Sequence, residues 1–115
     1  MMEKYFTRAM HSDAKKFDLA LPDGTKTGDY LMIVGTDSDQ FRAARAELYR
    51  NAAVISASKD RQAAEIVACL VVGGDTGDGE EVTRERAAEL LYQSPYLCDQ
   101  VDNFAAIHAN FLEKK

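Results

Sequence analysis

Asp37-Ser38-Asp39 follows the apolar run Leu31-Met32-Ile33-Val34 and then Gly35-Thr36, and is the stretch of this chain best placed to do chemistry. Two carboxylates one residue apart at the end of a strand can hold a magnesium ion, a hard cation that takes oxygen ligands. A small metal-dependent hydrolase would use Asp37 and Asp39 in that way. The same triplet also suits a helix cap, with Asp37 as the cap and Gln40, three residues on, closing a capping box. Capping accounts for all three residues and is the expectation. The acidic, glycine-rich GGDTGDGEE lacks the spacing and the Lys of a phosphate-binding loop. Its acids at 75, 78, 80 and 81 do not follow the alternate positions of a calcium loop. It reads as a flexible, solvated connector over residues 73–82. Cys69, Cys98, His11 and His108 make a nominal Cys2His2 set without the close ligand pairs of a zinc site. The two thiols lie in apolar helical patterns and read as small buried hydrophobes, with a disulfide between them left open. No nucleophile with its base and no acid–base pair emerges. No catalytic, cofactor-binding or metal-ligating residue is therefore assigned, no cofactor is expected, and the chain is read as not an enzyme.

The elements that would position these residues follow from periodicity. Phe17, Leu19 and Leu21 alternate with Asp18 and Ala20, and Pro22-Asp23-Gly24 is turn chemistry, so residues 1–36 read as a β-hairpin region closed by the strand at Leu31–Val34. Tyr5 to Met10 fits either a third, edge strand or a mobile arm. From Thr36 to Val72 there is neither Gly nor Pro. Phe41, Ala44, Leu48, Ala52 and Ile55 give one helical face, and Ala63, Ile66, Val67 and Leu70 give another, with a break expected near Ser58–Asp60. Residues 37–72 are thus a helical segment. Thr83 caps a short helix carrying Ala87, Leu90 and Leu91. Ser94-Pro95 then starts a last helix running to about Glu113, with Pro at the first helical position. The C-terminal helix pair spans 83–115. The expected architecture is one α+β domain over residues 1–115, a β-hairpin followed by a mainly helical body of three to four helices.

Composition narrows the function. The net charge of −5, from fourteen Lys and Arg among nineteen Asp and Glu, argues against nucleic acid. No apolar run approaches the roughly 18 residues of a membrane helix. The start, MMEKYFTRAMHSD, lacks the apolar centre of a secretory signal, which points to a cytoplasmic protein.

Along the last helix Leu97, Val101, Phe104, His108 and Phe111 recur at alternating steps of four and three. With Leu112 they form a stripe that is either core or the surface that binds a partner, or both. His108 on that stripe reads as a core or rim residue.

Three stretches carry a likeness to a known family: FTRAM followed by ALPDGTKTGDYLMIVGTDSDQFRAA, then VTRERAAELLYQSPYLCDQVDNF, then FAAIHANFLEKK. With them the chain resembles the tail assembly chaperones of long-tailed bacteriophages and prophages. It departs from their pattern in having no Trp and in carrying His108 where Arg is more usual. The resemblance implies a cytoplasmic protein of the bacterial host that binds the tape-measure protein, keeps it soluble and helps recruit tail-tube subunits. A small structural or adaptor subunit of the virion is the alternative. Lys114-Lys115 is what a slippery A-rich run would encode, so a frameshift-extended form of the chain is a further expected partner. Homo-oligomerisation is left open.

Overall fold

A computed structural model of the chain describes residues 2–111, with the side chain of Lys4 left aside. The order is a 3-10 turn (Met2–Tyr5), α1 (Thr7–His11), β1 (Lys15–Ala20), β2 (Lys26–Ile33), α2 (Asp39–Leu48), α3 (Ala52–Ile55), α4 (Lys59–Ala68), β3 (Val71–Asp75), α5 (Arg84–Gln93), α6 (Pro95–Ala106) and a second 3-10 turn (His108–Phe111). The α+β class and the hairpin are as expected, and the helices are more numerous. Among the described residues no helix is long and apolar enough to cross a membrane.

β1 and β2 pair antiparallel with Phe17 opposite Leu31 and Lys15 opposite Ile33. The turn between them closes through Leu21 N–H to Thr25 O at 2.9 Å and Gly24 N–H to Leu21 O at 2.8 Å, with Gly24 at φ +92°. That angle is one that a Cβ disfavours. A third strand, which the sequence did not announce, completes the sheet. β3 pairs antiparallel with β2, placing Leu31 opposite Gly74 and Ile33 opposite Val71, so β2 is central. The connector expected over 73–82 therefore begins later, because Gly73, Gly74 and Asp75 are in the strand. Glycine weakens a strand and reads as loop. Here Gly74 is demanded by a close approach, since a Cβ on it would lie 2.5 Å from the Tyr30 carbonyl oxygen.

The helical segment breaks twice. Asn51 accepts from Ala53 N–H and starts α3, and Ser58 accepts from Arg61 N–H and starts α4. Short polar side chains that bond the backbone locally compete with helix continuation in this way. The break at Ser58 matches the expectation and the one at Asn51 adds to it. On the expected faces, Phe41 and Ala44 are buried while Ala52 and Ile55 are exposed, and on α4 Ala64 is buried where Ala63 is exposed.

α4 packs along α5, and α6 lies against both. Alanines at 64, 68, 87, 88 and 105 are all buried and allow these backbones to approach closely. Leu31, Ile33 and Val34 of the central strand and its continuation meet Leu70, Leu91, Leu97 and Val101 in one core cluster. Burying each such side chain contributes about 1.5–3 kcal/mol relative to leaving it exposed.

Both ends differ from expectation. Tyr5 to Met10 is neither strand nor arm: it runs from the first 3-10 turn into α1. The last helix stops at Ala106, because Ile107 is extended at φ −86°, ψ 108°. Asn110 Nδ2 donates to Phe104 O at 2.9 Å, taking a carbonyl the helix would have used and folding the chain back. Leu112, Glu113 and Lys114-Lys115 lie outside the described residues.

Candidate functional site

The loop between β2 and α2 ties three distant segments together. Val34 N–H donates to Leu70 O at 3.0 Å, Gly35 N–H to His11 O at 2.8 Å, and Thr36 N–H to Ala105 O at 3.1 Å. The next residues turn into α2. Ser38, fully buried, is the cap, its Oγ accepting from Phe41 N–H at 3.1 Å. The expected capping box of Asp37 and Gln40 does not form. Gln40 Nε2 donates to Ser12 O at 3.0 Å, and Asp37 accepts from the Thr7 hydroxyl. Asp37 is thereby free of the helix end and turned toward α1 and the C-terminal turn. Asp39 pairs at the surface with Arg8 at 3.2 Å, so the two carboxylates of the triplet go to separate partners.

His11, Asp37 and His108 converge within this corner, their ligand atoms all within 4.8 Å of one another. His11 is fully buried, while His108 is exposed. Asp37 N–H donates to His11 Nδ1 at 3.0 Å, and His11 Nε2 lies 2.8 Å from His108 Nδ1. These contacts fix the tautomers. A nitrogen that accepts from a backbone N–H carries no proton, so the neutral His11 ring holds its proton on Nε2 and donates it to His108 Nδ1. His108 then keeps its own proton on Nε2.

Phe111 stacks on the other side of the His11 ring, with centroids 4.7 Å apart, and Phe104 meets Phe111 edge-on at 5.8 Å. Gly35 makes room for the ring, since a Cβ there would lie 1.9 Å from His11 Nδ1. Burial is the largest influence on His11 and lowers its pKa, with Asp37 opposing and His108 adding to the effect. The Thr7 hydroxyl, ahead of His11, His108 and Arg42, holds the Asp37 carboxyl below its ordinary range against the effect of burial.

Two imidazoles and a carboxylate resemble a transition-metal ligand set. The tautomer argues against that use. A metal on His11 Nε2 needs the ring proton on Nδ1, where it would face the Asp37 N–H donor. Metal-ligating histidines instead donate through their second nitrogen. The arrangement can pin three segments and can respond to a proton. The cysteines of the nominal set are elsewhere, buried and free, and burial raises both thiol pKa values.

The C-terminal stripe divides. Leu97, Val101 and Phe111 are buried in the chain's own interior and offer no surface to a partner while the domain is folded. Phe104 is half-buried against the core, His108 is exposed, and Leu112 lies outside the described residues.

An apolar surface occurs instead at α3. None of Ala52, Ala53, Val54 and Ile55 is buried. Ile55 is 58% exposed and Tyr49 54% exposed. With Val54, Gln62 and Ile66 they line an open recess of about 140 Å³. On the other side of this turn is a larger, mixed groove of about 480 Å³, lined in part by Leu48, Val54, Arg61 and Arg84. Sequence periodicity had counted Ile55 with the core face of one long helix, and only the second break, at Asn51, turns it outward.

Comparison of the chain with protein-family models, with curated proteins and with solved structures found no match.

Proposed function

We propose that this chain is a non-enzymatic binding and assembly protein of the tail-assembly-chaperone kind, holding a hydrophobic, helical tape-measure client in solution and helping to recruit tail-tube subunits. The observation that supports it is the α3 corner, an apolar helical turn with no buried residue beside an open recess. A recess lined by Tyr49, Val54, Ile55 and Ile66 suits an apolar side chain presented by a helix. The net charge of −5 keeps a coated complex soluble. Partner contact on this reading moves from the C-terminal stripe to the α2–α4 corner, because most of the stripe is core.

The test is co-expression with the product of the longest reading frame downstream of the gene. That product is expected to be soluble only with this chain and to co-purify with it. Ile55→Asp and Tyr49→Asp are expected to abolish co-purification while changing stability by no more than about 0.5 kcal/mol, as surface substitutions do. A client that is soluble alone and does not co-purify contradicts the proposal. Presence of the chain in purified mature particles would favour the virion-subunit alternative.

A further inference from the structure

We infer that the His11–His108 pair is a proton-sensitive latch that holds the C-terminal 3-10 turn, residues 108–111, against α1. The inference concerns the chain alone and does not depend on the identity of any client. Among the described residues the strap is held by the latch and by the buried Phe111. His11 Nε2–H donates to His108 Nδ1, Phe111 stacks on His11, and Phe104 meets Phe111 edge-on. Among the described residues Asn110 bonds back to its own segment, at Phe104 O and Ile107 O. The strap thus meets α1 at the His11 ring and where Phe111 borders Ala9 and Met10.

Both nitrogens of that ring are committed in the neutral state, and neither site of protonation is compatible with it. A proton added to His11 Nδ1 would face the Asp37 N–H, with no acceptor between two donors. A proton added to His108 Nδ1 would face the His11 Nε2–H in the same way. Of the charged groups around the pair, the Asp37 carboxylate favours a protonated His11, and burial outweighs it. The Asp37 carboxylate is engaged by the Thr7 hydroxyl and lies 3.7 Å from Arg42, and Gly35 and Phe111 complete the walls. Arg8 and Asp39 pair with each other outside the corner.

The sign follows from burial. Burial lowers the His11 pKa below its ordinary 6.5, so the closed strap binds fewer protons than the open one. The latch is at full strength above pH 6.5 and weakens as pH falls from there through the lowered value. Each proton taken up on opening lowers the closing constant by up to about tenfold per pH unit. Asp37 does not act in this window. Its pKa is also lowered, from 3.8, so the stability it contributes is present above that pH and lost only below it. Opening the strap uncovers Phe104, Phe111 and the Phe17 ring that packs edge-on against Phe104 at 5.3 Å.

The experiment uses the full chain. Imidazole ¹⁵N shifts report tautomer and titration of both histidines, and amide hydrogen exchange, corrected for intrinsic pH dependence, reports strap closure between pH 7.5 and 5.5. We expect His11 as the Nε2–H tautomer at pH 7.5. Protection of residues 7–11 and 105–111 should begin to fall below about pH 6.5 and be lower by up to about 10-fold at pH 5.5, while β2 stays protected. His11→Asn, which offers a non-titrating acceptor to Asp37 N–H, should remove that pH dependence. An Nδ1–H tautomer overturns the inference. So does strap protection that ignores the His11 titration in the parent chain, whatever the variant does.

Discussion

Gly35→Ala is the smallest change that tests the packing of this corner. The φ of Gly35 lies outside the left-handed region, so the added methyl costs nothing in backbone strain and acts through sterics alone. A Cβ would sit 1.9 Å from His11 Nδ1, 2.2 Å from its Cγ and 2.6 Å from its Cβ. It falls about 1.5 Å short of ordinary contact with the ring. The third distance matters most. The Cβ of His11 is fixed to the backbone of α1, so a rotamer change cannot relieve the clash and the helix must move away from the loop. That motion stretches Gly35 N–H to His11 O and Asp37 N–H to His11 Nδ1 together. Overpacking of this kind costs about 1–3 kcal/mol. Leaving a buried donor without its acceptor adds about 1–3 kcal/mol. The expected loss is therefore about 3–5 kcal/mol, or a Tm lower by about 12–20 °C for a chain of this size. Thermal and urea unfolding followed by far-UV circular dichroism measure it. A double-mutant cycle adds the mechanism: in a His11→Ala background, where the ring is gone, Gly35→Ala should cost much less than in the parent. A Gly35→Ala protein within about 0.5 kcal/mol of the parent refutes the reasoning. Equal costs in both backgrounds would refute the assignment to His11.

Three further outcomes follow from the same contacts. Zinc at millimolar concentration and pH 7.5 should leave Tm unchanged, because the His11 tautomer withholds its Nε2 lone pair. A true site with zinc at a hundred times its Kd would instead add about 2.7 kcal/mol. Ser38→Ala should cost about 1–2 kcal/mol by urea unfolding, since Ser38 is buried and its Oγ alone caps α2, whereas Asp37→Asn should leave α2 helicity intact. Cys69 and Cys98 should resist a disulfide exchange reagent at pH 8 until the protein unfolds, as both are buried with raised thiol pKa values. Rapid modification of either in the native state would contradict that placement.

Much of the fold was legible because local chemistry and tertiary packing agree. The hairpin carries both its alternation and its turn residues, and Thr83 and Ser58 begin helices that the apolar periodicity also supports. Legibility failed where a residue serves a distant contact. Gly74 reads as loop, and only the Tyr30 carbonyl beside it explains a glycine in a strand. Gly35 follows the apolar run as an ordinary strand end would, yet its missing Cβ makes room for a ring 24 positions earlier in the chain. The capping box of Asp37 and Gln40 was sound by spacing but lost to Ser38, because Thr7, absent from any local pattern, takes the Asp37 carboxylate. The histidine corner shows the same limit most clearly. His11 and His108 are 97 positions apart, and no spacing rule joins them. The C-terminal stripe was visible as a period, but a period marks an apolar face without saying what covers it. Leu97 and Val101 meet the chain's own core, while the exposed Ile55 hid in a pattern that appeared to be core.

The proposed function rests on where a helical client docks, and hydrogen exchange of the chain, alone and saturated with a co-expressed tape-measure segment, tests that most directly. New protection concentrated at residues 49–57 and 62–66, with residues 97–111 unchanged, is the predicted result. New protection confined to residues 97–111, with the α3 corner still exchanging as in the free chain, would contradict it and return the binding surface to the C-terminal stripe.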